Sequence, residues 1–234
     1  MQTLANPRSQ LSKQFSSHPL KLVALGDSLV YGFGDPVGGG WVEQLRLRWM
    51  SPPGHVLYNL GVRGDGVQQV QARLEQEFCH RGELRNRVPE AMILSVGVND
   101  SARLGHVNGR QYTDFDLFNR EMATLLDQSQ QLCSVLFVGM VPVDEEKMPF
   151  LGSFYYNHGE QYRYKEATRL ACEKRQIPYL DIFDLWMARG TQWRRDRLSA
   201  DGLHPNVSGY QALLQDVLAW EPIAKLASIK SSAA

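Results

Sequence analysis

Four short segments carry residue types from which hydrolytic chemistry is built. Gly26-Asp27-Ser28-Leu29 follows an apolar run, and a strand-to-helix turn there would present both the Ser28 hydroxyl and its backbone N–H. Asn59-Leu60-Gly61-Val62-Arg63-Gly64-Asp65-Gly66 supplies glycines, whose backbone can approach a ligand and donate an N–H to an anion. Gly97-Val98-Asn99-Asp100-Ser101 adds an uncharged amide donor, suited to a developing oxyanion. Asp201-Gly202-Leu203-His204-Pro205-Asn206 sets a carboxylate three residues before an imidazole. A carboxylate at that spacing can fix the ring tautomer and leave the other nitrogen free as a base. Pro205 keeps His204 out of helical geometry, so the pair belongs to a loop. Each segment alone has a plainer reading: an N-cap serine, a Gly-rich turn, an Asx turn, a histidine in a capping loop.

The elements that must position these segments follow from hydrophobic pattern. Leu20–Leu25, His55–Leu60, Ala91–Val96, Ser134–Val141 and the short Pro178–Ile182 read as strands buried on both faces. Between them lie helical stripes: Val67, Val70, Leu74 and Phe78; Phe115, Phe118, Met122, Leu125, Leu126 and Leu132; and Tyr210, Leu213, Leu214, Val217 and Leu218 behind Asn206 as N-cap. A weaker pattern covers residues 159–175. Strand–helix alternation predicts an α/β chain, a three-layer α/β/α sandwich on a mostly parallel, roughly five-stranded sheet. Ligands bind such sheets at the carboxyl ends of the strands, where these segments fall.

Composition narrows the alternatives. The chain has 234 residues, with 25 Lys plus Arg against 25 Asp plus Glu, and no basic run, which argues against nucleic acid as a partner. With 43% hydrophobic and 21% charged residues it reads as globular, and no apolar stretch is long enough for an integral membrane segment. Cys79, Cys133 and Cys172 match no metal pattern and are expected as reduced thiols in helices or core. Residues 1–19 read as a polar tail without the apolar core of a secretory signal, so a cytoplasmic location is the expectation. One domain is expected over 20–226, followed by a tail at 227–234. The turns fit neither Gly-x-Gly-x-x-Gly nor a P-loop, and the Gly-x-Ser-x-Gly elbow of α/β-hydrolases is absent. Of six histidines only His204 sits in a convincing site, so no metal and no cofactor are expected.

Taken in order, the four segments resemble the sequence blocks of the GDSL family, also called SGNH hydrolases, over about residues 20 to 220. Ser28 looks like the first block, Gly64 rather than Gly61 the glycine of the second, Gly97-x-Asn99-Asp100 the third, and Asp201-x-x-His204-Pro205 the last. The resemblance implies a flavodoxin-like fold and an esterase-, lipase- or thioesterase-type enzyme acting on a small-molecule acyl ester. It further implies Ser28 as nucleophile, His204 as base and then acid, and Asp201 as its orienting carboxylate. An oxyanion hole would come from the Ser28 and Gly64 N–H groups and the Asn99 side chain. The alternative is a catalytically inactive GDSL-like binding module for a small acylated or carbohydrate ligand, against which the complete residue set argues. Asp27 and Asp100 are expected to brace loops. Arg63 stands where the family often has Ser, and is expected to point to solvent rather than bias the site toward anionic groups. The segment Pro142–Gly159, with Met148, Phe150, Leu151, Phe154, Tyr155 and Tyr156, reads as an acyl wall or lid, or for at least half of these residues as core.

Overall fold

Apolar runs buried along their whole length make the central strands of the computed structural model, which describes residues 19–50, 54–81 and 88–227. In chain order the elements are β1 (Lys21–Gly26), α1 (Ser28–Tyr31), α2 (Gly40–Trp49), β2 (Val56–Gly61), α3 (Val67–Cys79) and β3 (Ala91–Ser95). A 3₁₀ turn (Asn99–Ser101), β4 (Arg103–Leu104), α4 (Phe115–Leu132), β5 (Ser134–Val138), a second 3₁₀ turn (Glu145–Lys147) and β6 (Phe154–Tyr155) follow. The chain continues through α5 (His158–Lys174), β7 (Tyr179–Leu180), α6 (Ile182–Ala188), α7 (Thr191–Arg195), α8 (Val207–Ala219) and α9 (Glu221–Ala227).

Five strands form one sheet in the order β2-β1-β3-β5-β7, every neighbouring pair parallel. Every residue of β1 and of β3 is buried, as strands covered on both faces require. The helices pack in two rows, α3–α4–α5 and α1–α2–α8–α9, which give the outer layers of the expected α/β/α sandwich. The α3 stripe Val67, Val70, Leu74 and Phe78 is buried throughout, and Phe118, Met122, Leu125 and Leu126 of α4 are buried beside it. Asn206 caps α8 as expected, its side chain accepting the Gly209 N–H at 3.0 Å.

The first three strands lie within one residue of their expected bounds, and the last two differ by more. The fourth ends at Val138 rather than Val141; Gly139 leaves the ladder with one last bond, from its N–H to the Leu180 carbonyl at 2.9 Å. The fifth shrinks to Tyr179–Leu180 because Asp181 turns the chain into α6, its side chain accepting the Asp184 N–H at 3.0 Å. Of the expected tails, 1–19 and 227–234, residues 1–18 and 228–234 lie outside the described residues, while Ala227 ends α9 rather than opening a tail. Cys79, Cys133 and Cys172 are all unpaired, and Cys172 is buried. Among the described residues no helix is long and apolar enough to cross a membrane.

The topology fixes where chemistry can sit. From β1 the chain order runs to β2 on one side and to β3 and β5 on the other, so the crevice opens outside the carboxyl ends of β1 and β3. β4 and β6 form a separate two-stranded antiparallel ribbon, and Tyr156, the residue after β6, brings its hydroxyl to 3.5 Å from Asn99 Oδ1. Arg103 of β4 anchors the ribbon, bonding the Gly109 carbonyl at 2.8 Å and the Glu160 carboxylate at 2.6 Å.

Candidate active site

Ser28 opens α1 directly after the carboxyl end of β1. Asp27 sets that first turn by accepting the Leu29 N–H at 2.8 Å. Ser28 is buried, and its Oγ lies 2.9 Å from His204 Nε2. On the far side of the ring, Nδ1 lies 2.7 Å from Asp201 Oδ2. The other Asp201 oxygen accepts the N–H groups of Leu203 at 2.9 Å and His204 at 3.0 Å, so one carboxylate shapes the turn and meets the ring. Burial pushes the Asp201 carboxyl upward, but these bonds from the His204 ring and backbone outweigh it and hold the group below the ordinary value. An ionised Asp201 can only accept, so the proton sits on Nδ1 and the Nε2 lone pair faces the serine hydroxyl.

The turn bearing His204 is tied to the first segment through α8. Tyr210 donates its hydroxyl to the Phe33 carbonyl at 2.9 Å, with the Ser28 carbonyl 3.4 Å away. The Ser199 N–H closes the turn on the His204 carbonyl at 2.7 Å.

The second and third segments meet each other. Asn99 Nδ2 donates to the carbonyl of Asp65, the residue after Gly64, at 2.8 Å, leaving its second N–H for another acceptor. The Tyr156 hydroxyl lies 3.5 Å from Asn99 Oδ1 on the opposite side of the amide. Gly64 holds φ at +84°, in the left-handed region, while no atom lies within 4 Å of where a Cβ would stand. Its glycine requirement is therefore one of backbone conformation, not of space. Arg73 of α3 pins this loop to the sheet, bonding Asp65 Oδ2 at 2.8 Å and the Gly26 carbonyl at 2.9 Å. Asp100 accepts the Val67 N–H at 3.1 Å and the Thr113 hydroxyl at 2.8 Å, bracing the third segment against the start of α3.

Ser28, His204 and Asp201 thus form one continuous hydrogen-bonded chain, while Asn99 and Gly64 are joined to each other through Asp65. Arg63 is exposed, as expected, but it does not run free into solvent: its guanidinium lies 3.7 Å from the centroid of the Phe33 ring. Phe33 in turn meets the His204 ring edge-on at 4.7 Å, and Phe150 meets the same ring at 5.7 Å. Of the apolar residues in the 142–159 segment, Tyr156 is buried, Phe150 and Phe154 are partly buried against the core, and Leu151 is 76% exposed.

Sequence reasoning missed Phe33 and Arg73, and took Tyr156 only as an acyl-wall, lid or core residue and Tyr210 only as part of a helical stripe. For Phe33 the local signal was an aromatic between two glycines, Gly32-Phe33-Gly34, just after the first segment. Its loop closes tightly, because a Cβ on Gly40 would stand 2.3 Å from the Gly32 Cα.

Asp27 is fully buried, and its Oδ2 has no hydrogen-bond partner. Burial, helped by the charges of Asp100 and Asp65 and opposed by the Leu29 N–H, raises its carboxyl from the ordinary 3.8 to about 7. Between those values the folded chain holds a proton that the unfolded chain has released, so stability falls as pH rises across that window. Asp27→Asn keeps an acceptor for Leu29 and carries no charge. We expect it to melt above the wild type at pH 8, by about 1–2 kcal/mol, and to lose that advantage near pH 5. Thermal unfolding at the two pH values checks this; an equal shift at both would refute a charge origin.

Residues 24–212 match the family described as GDSL-like lipase/acylhydrolase. Among curated proteins none matches the chain significantly. A lipase/acylhydrolase from Enterococcus faecalis superposes with a TM-score of 0.70 at 18% identity, covering 92% of this chain and 100% of that one. The acetylxylan esterase Axe2 from Geobacillus stearothermophilus gives 0.66 at 18% identity, over 88% of this chain and 97% of its own. A member of the lipolytic G-D-S-L family from Veillonella parvula gives 0.62 at 20% identity, over 85% and 96%. At these identities the likeness is one of fold. The family match spans every segment that the sheet gathers at its carboxyl edge, from β1 to α8, and on that match the chain belongs to the GDSL-like lipase/acylhydrolase family.

Proposed function

We propose that the protein is a serine hydrolase of carboxylic acyl esters, with Ser28 as nucleophile, His204 as general base and acid, and Asp201 as the carboxylate that orients it. The observation carrying this reading is the bonded chain from Ser28 through His204 to Asp201, 2.9 and 2.7 Å long, at the point where the sheet topology opens a crevice. A serine hydroxyl is a weak nucleophile at neutral pH and needs an adjacent base; the unprotonated Nε2 of His204 is placed to be that base.

Attack of Ser28 Oγ on the ester carbonyl passes its proton to His204 and forms a tetrahedral oxyanion. The Ser28 and Gly64 N–H groups and the free N–H of the Asn99 amide receive that charge. Asp201 stabilises the imidazolium formed meanwhile. Collapse expels the alcohol, which takes the proton from His204 Nε2, and leaves an acyl group on Ser28. Water, deprotonated by the same nitrogen, then releases the acid and restores the serine.

Hydrolysis of p-nitrophenyl acetate together with labelling by a fluorophosphonate tests the assignment. Turnover and an adduct on Ser28 are expected; turnover with the adduct elsewhere would sink the nucleophile assignment, and no turnover would favour a binding module. Asn99→Ala removes one oxyanion donor, and kcat should fall about 10²–10³-fold with KM changed little. A matched rise in KM would instead place Asn99 in ground-state binding.

A further inference from the structure

Arg63 is a cation whose side chain is linked to His204 through one aromatic ring. Its guanidinium rests on Phe33 at 3.7 Å, and Phe33 rests edge-on against His204 at 4.7 Å. Among the described residues its partner is this ring rather than a carboxylate. The acidic groups nearby are engaged elsewhere. Asp65 binds Arg73. Asp35, on the same loop as Phe33, takes the N–H groups of Val37, Gly38 and Gly40 and the Gln44 amide. Asp201 is filled by His204 and its own turn. Arg63 therefore presents an exposed charge, held in place by an aromatic face, at the rim of the crevice. It also directly precedes Gly64, so the same short loop carries both an oxyanion donor and this charge.

The geometry favours one side of the ester. The departing alcohol must reach His204 Nε2 to take its proton, and two aromatic rings, Phe33 and Phe150, lie edge-on against the His204 ring. The guanidinium sits on one of those rings, so it is carried next to the histidine ring that the alcohol portion of an ester must approach.

We infer that Arg63 is a specificity-determining residue that selects esters whose alcohol portion carries an anion, a carboxylate or a phosphate. The inference rests on the serine-hydrolase reading above and specifies its substrate class. A full charge at the edge of a partly desolvated crevice favours an opposite charge in the bound ester by about fivefold to tenfold at low salt. The preference fades as ionic strength rises, since the group is exposed.

The test uses acetyl esters of three para-substituted phenols, a neutral carboxamide, a carboxylate and a phosphate monoester, with wild type, Arg63→Ala, Arg63→Lys and Lys147→Ala. Lys147 is the control because it is an exposed cation whose stem packs beside Gly202 of the histidine turn. The readout is the ratio of kcat/KM, anionic over neutral, at about 0.02 and 0.5 M salt. We expect Arg63→Ala to lower that ratio about fivefold to tenfold at low salt, Arg63→Lys to restore part of it, and Lys147→Ala to leave it near wild type. The carboxylate and phosphate arms show which anion the site favours, and a preference for either supports the inference. An equal loss on all three esters would show that Arg63 merely props Phe33, and an equal loss in Lys147→Ala would show a diffuse field; both overturn it. A fourth ester, with succinate as the acyl group and the neutral phenol, overturns the alcohol-side assignment if it alone carries the effect. If wild type hydrolyses none of these esters, or Ser28→Ala hydrolyses them as well, the serine-hydrolase reading fails and this inference with it; intact, Ser28-dependent turnover of the neutral ester with an unchanged ratio in Arg63→Ala overturns the inference alone.

Discussion

Ser28→Ala should leave a folded protein with almost no esterase activity, kcat falling about 10⁴–10⁶-fold. The serine hydroxyl has one side-chain partner, His204 Nε2 at 2.9 Å, so its removal leaves the sheet and the histidine turn in place. The Asp201 bonds that shape that turn do not involve Ser28. Unchanged circular dichroism and melting temperature, with hydrolysis near background and no fluorophosphonate adduct, is the expected result. A variant keeping a tenth or more of wild-type turnover would end the nucleophile assignment.

Asp201→Asn should cost about 10⁴-fold in kcat without removing any atom position, through the tautomer it imposes. Asp201 Oδ1 accepts two backbone N–H groups, from Leu203 and His204, so in the variant the amide oxygen must stay there. The amide NH₂ then faces His204 Nδ1 and donates to it. The ring proton is driven to Nε2, which can only donate toward Ser28 Oγ and can no longer take its proton. The opposite amide orientation would set an NH₂ against two N–H donors and break the turn. A loss confined to kcat, in a variant with wild-type melting behaviour, would mark the tautomer effect. A comparable loss in stability would show instead that the turn itself had failed.

The legible parts of the fold were those in which local pattern and tertiary burial agree. The runs that became β1 and β3 are apolar because both faces are covered, and the α3 and α4 stripes keep helical spacing because one face meets the sheet. Helix α2 escaped notice although Trp41, Val42, Leu45 and Trp49 are buried along it. It starts within the run Gly38-Gly39-Gly40, which reads as a loop and serves a close approach of Gly40 to Gly32. At the site, Ser28, Gly64, Asn99, Asp201 and His204 stood out because each follows a strand or opens the last helix in a recognisable block. The bonds of Tyr156 and Tyr210 did not, because they span long separations in the chain: Tyr156 reaches Asn99, 57 residues away, and Tyr210 reaches the Phe33 carbonyl, 177 residues away. Arg63 was legible as an unusual residue, but its seat on Phe33 exists only once two separate loops fold side by side.

The span between Ser28 and His204, 176 residues, has a consequence for how hydrolytic competence arises. The serine proposed as nucleophile belongs to the first strand-to-helix turn, yet the histidine proposed as its base arrives on a turn that is clamped only when α8 packs and Tyr210 meets the Phe33 carbonyl. During synthesis, which runs from the N-terminus, the serine therefore emerges long before the histidine proposed to activate it, and until then its hydroxyl is an ordinary weak nucleophile. On that mechanism, reactivity toward a fluorophosphonate reports the docking of α8, switching on when Tyr210 reaches the Phe33 carbonyl.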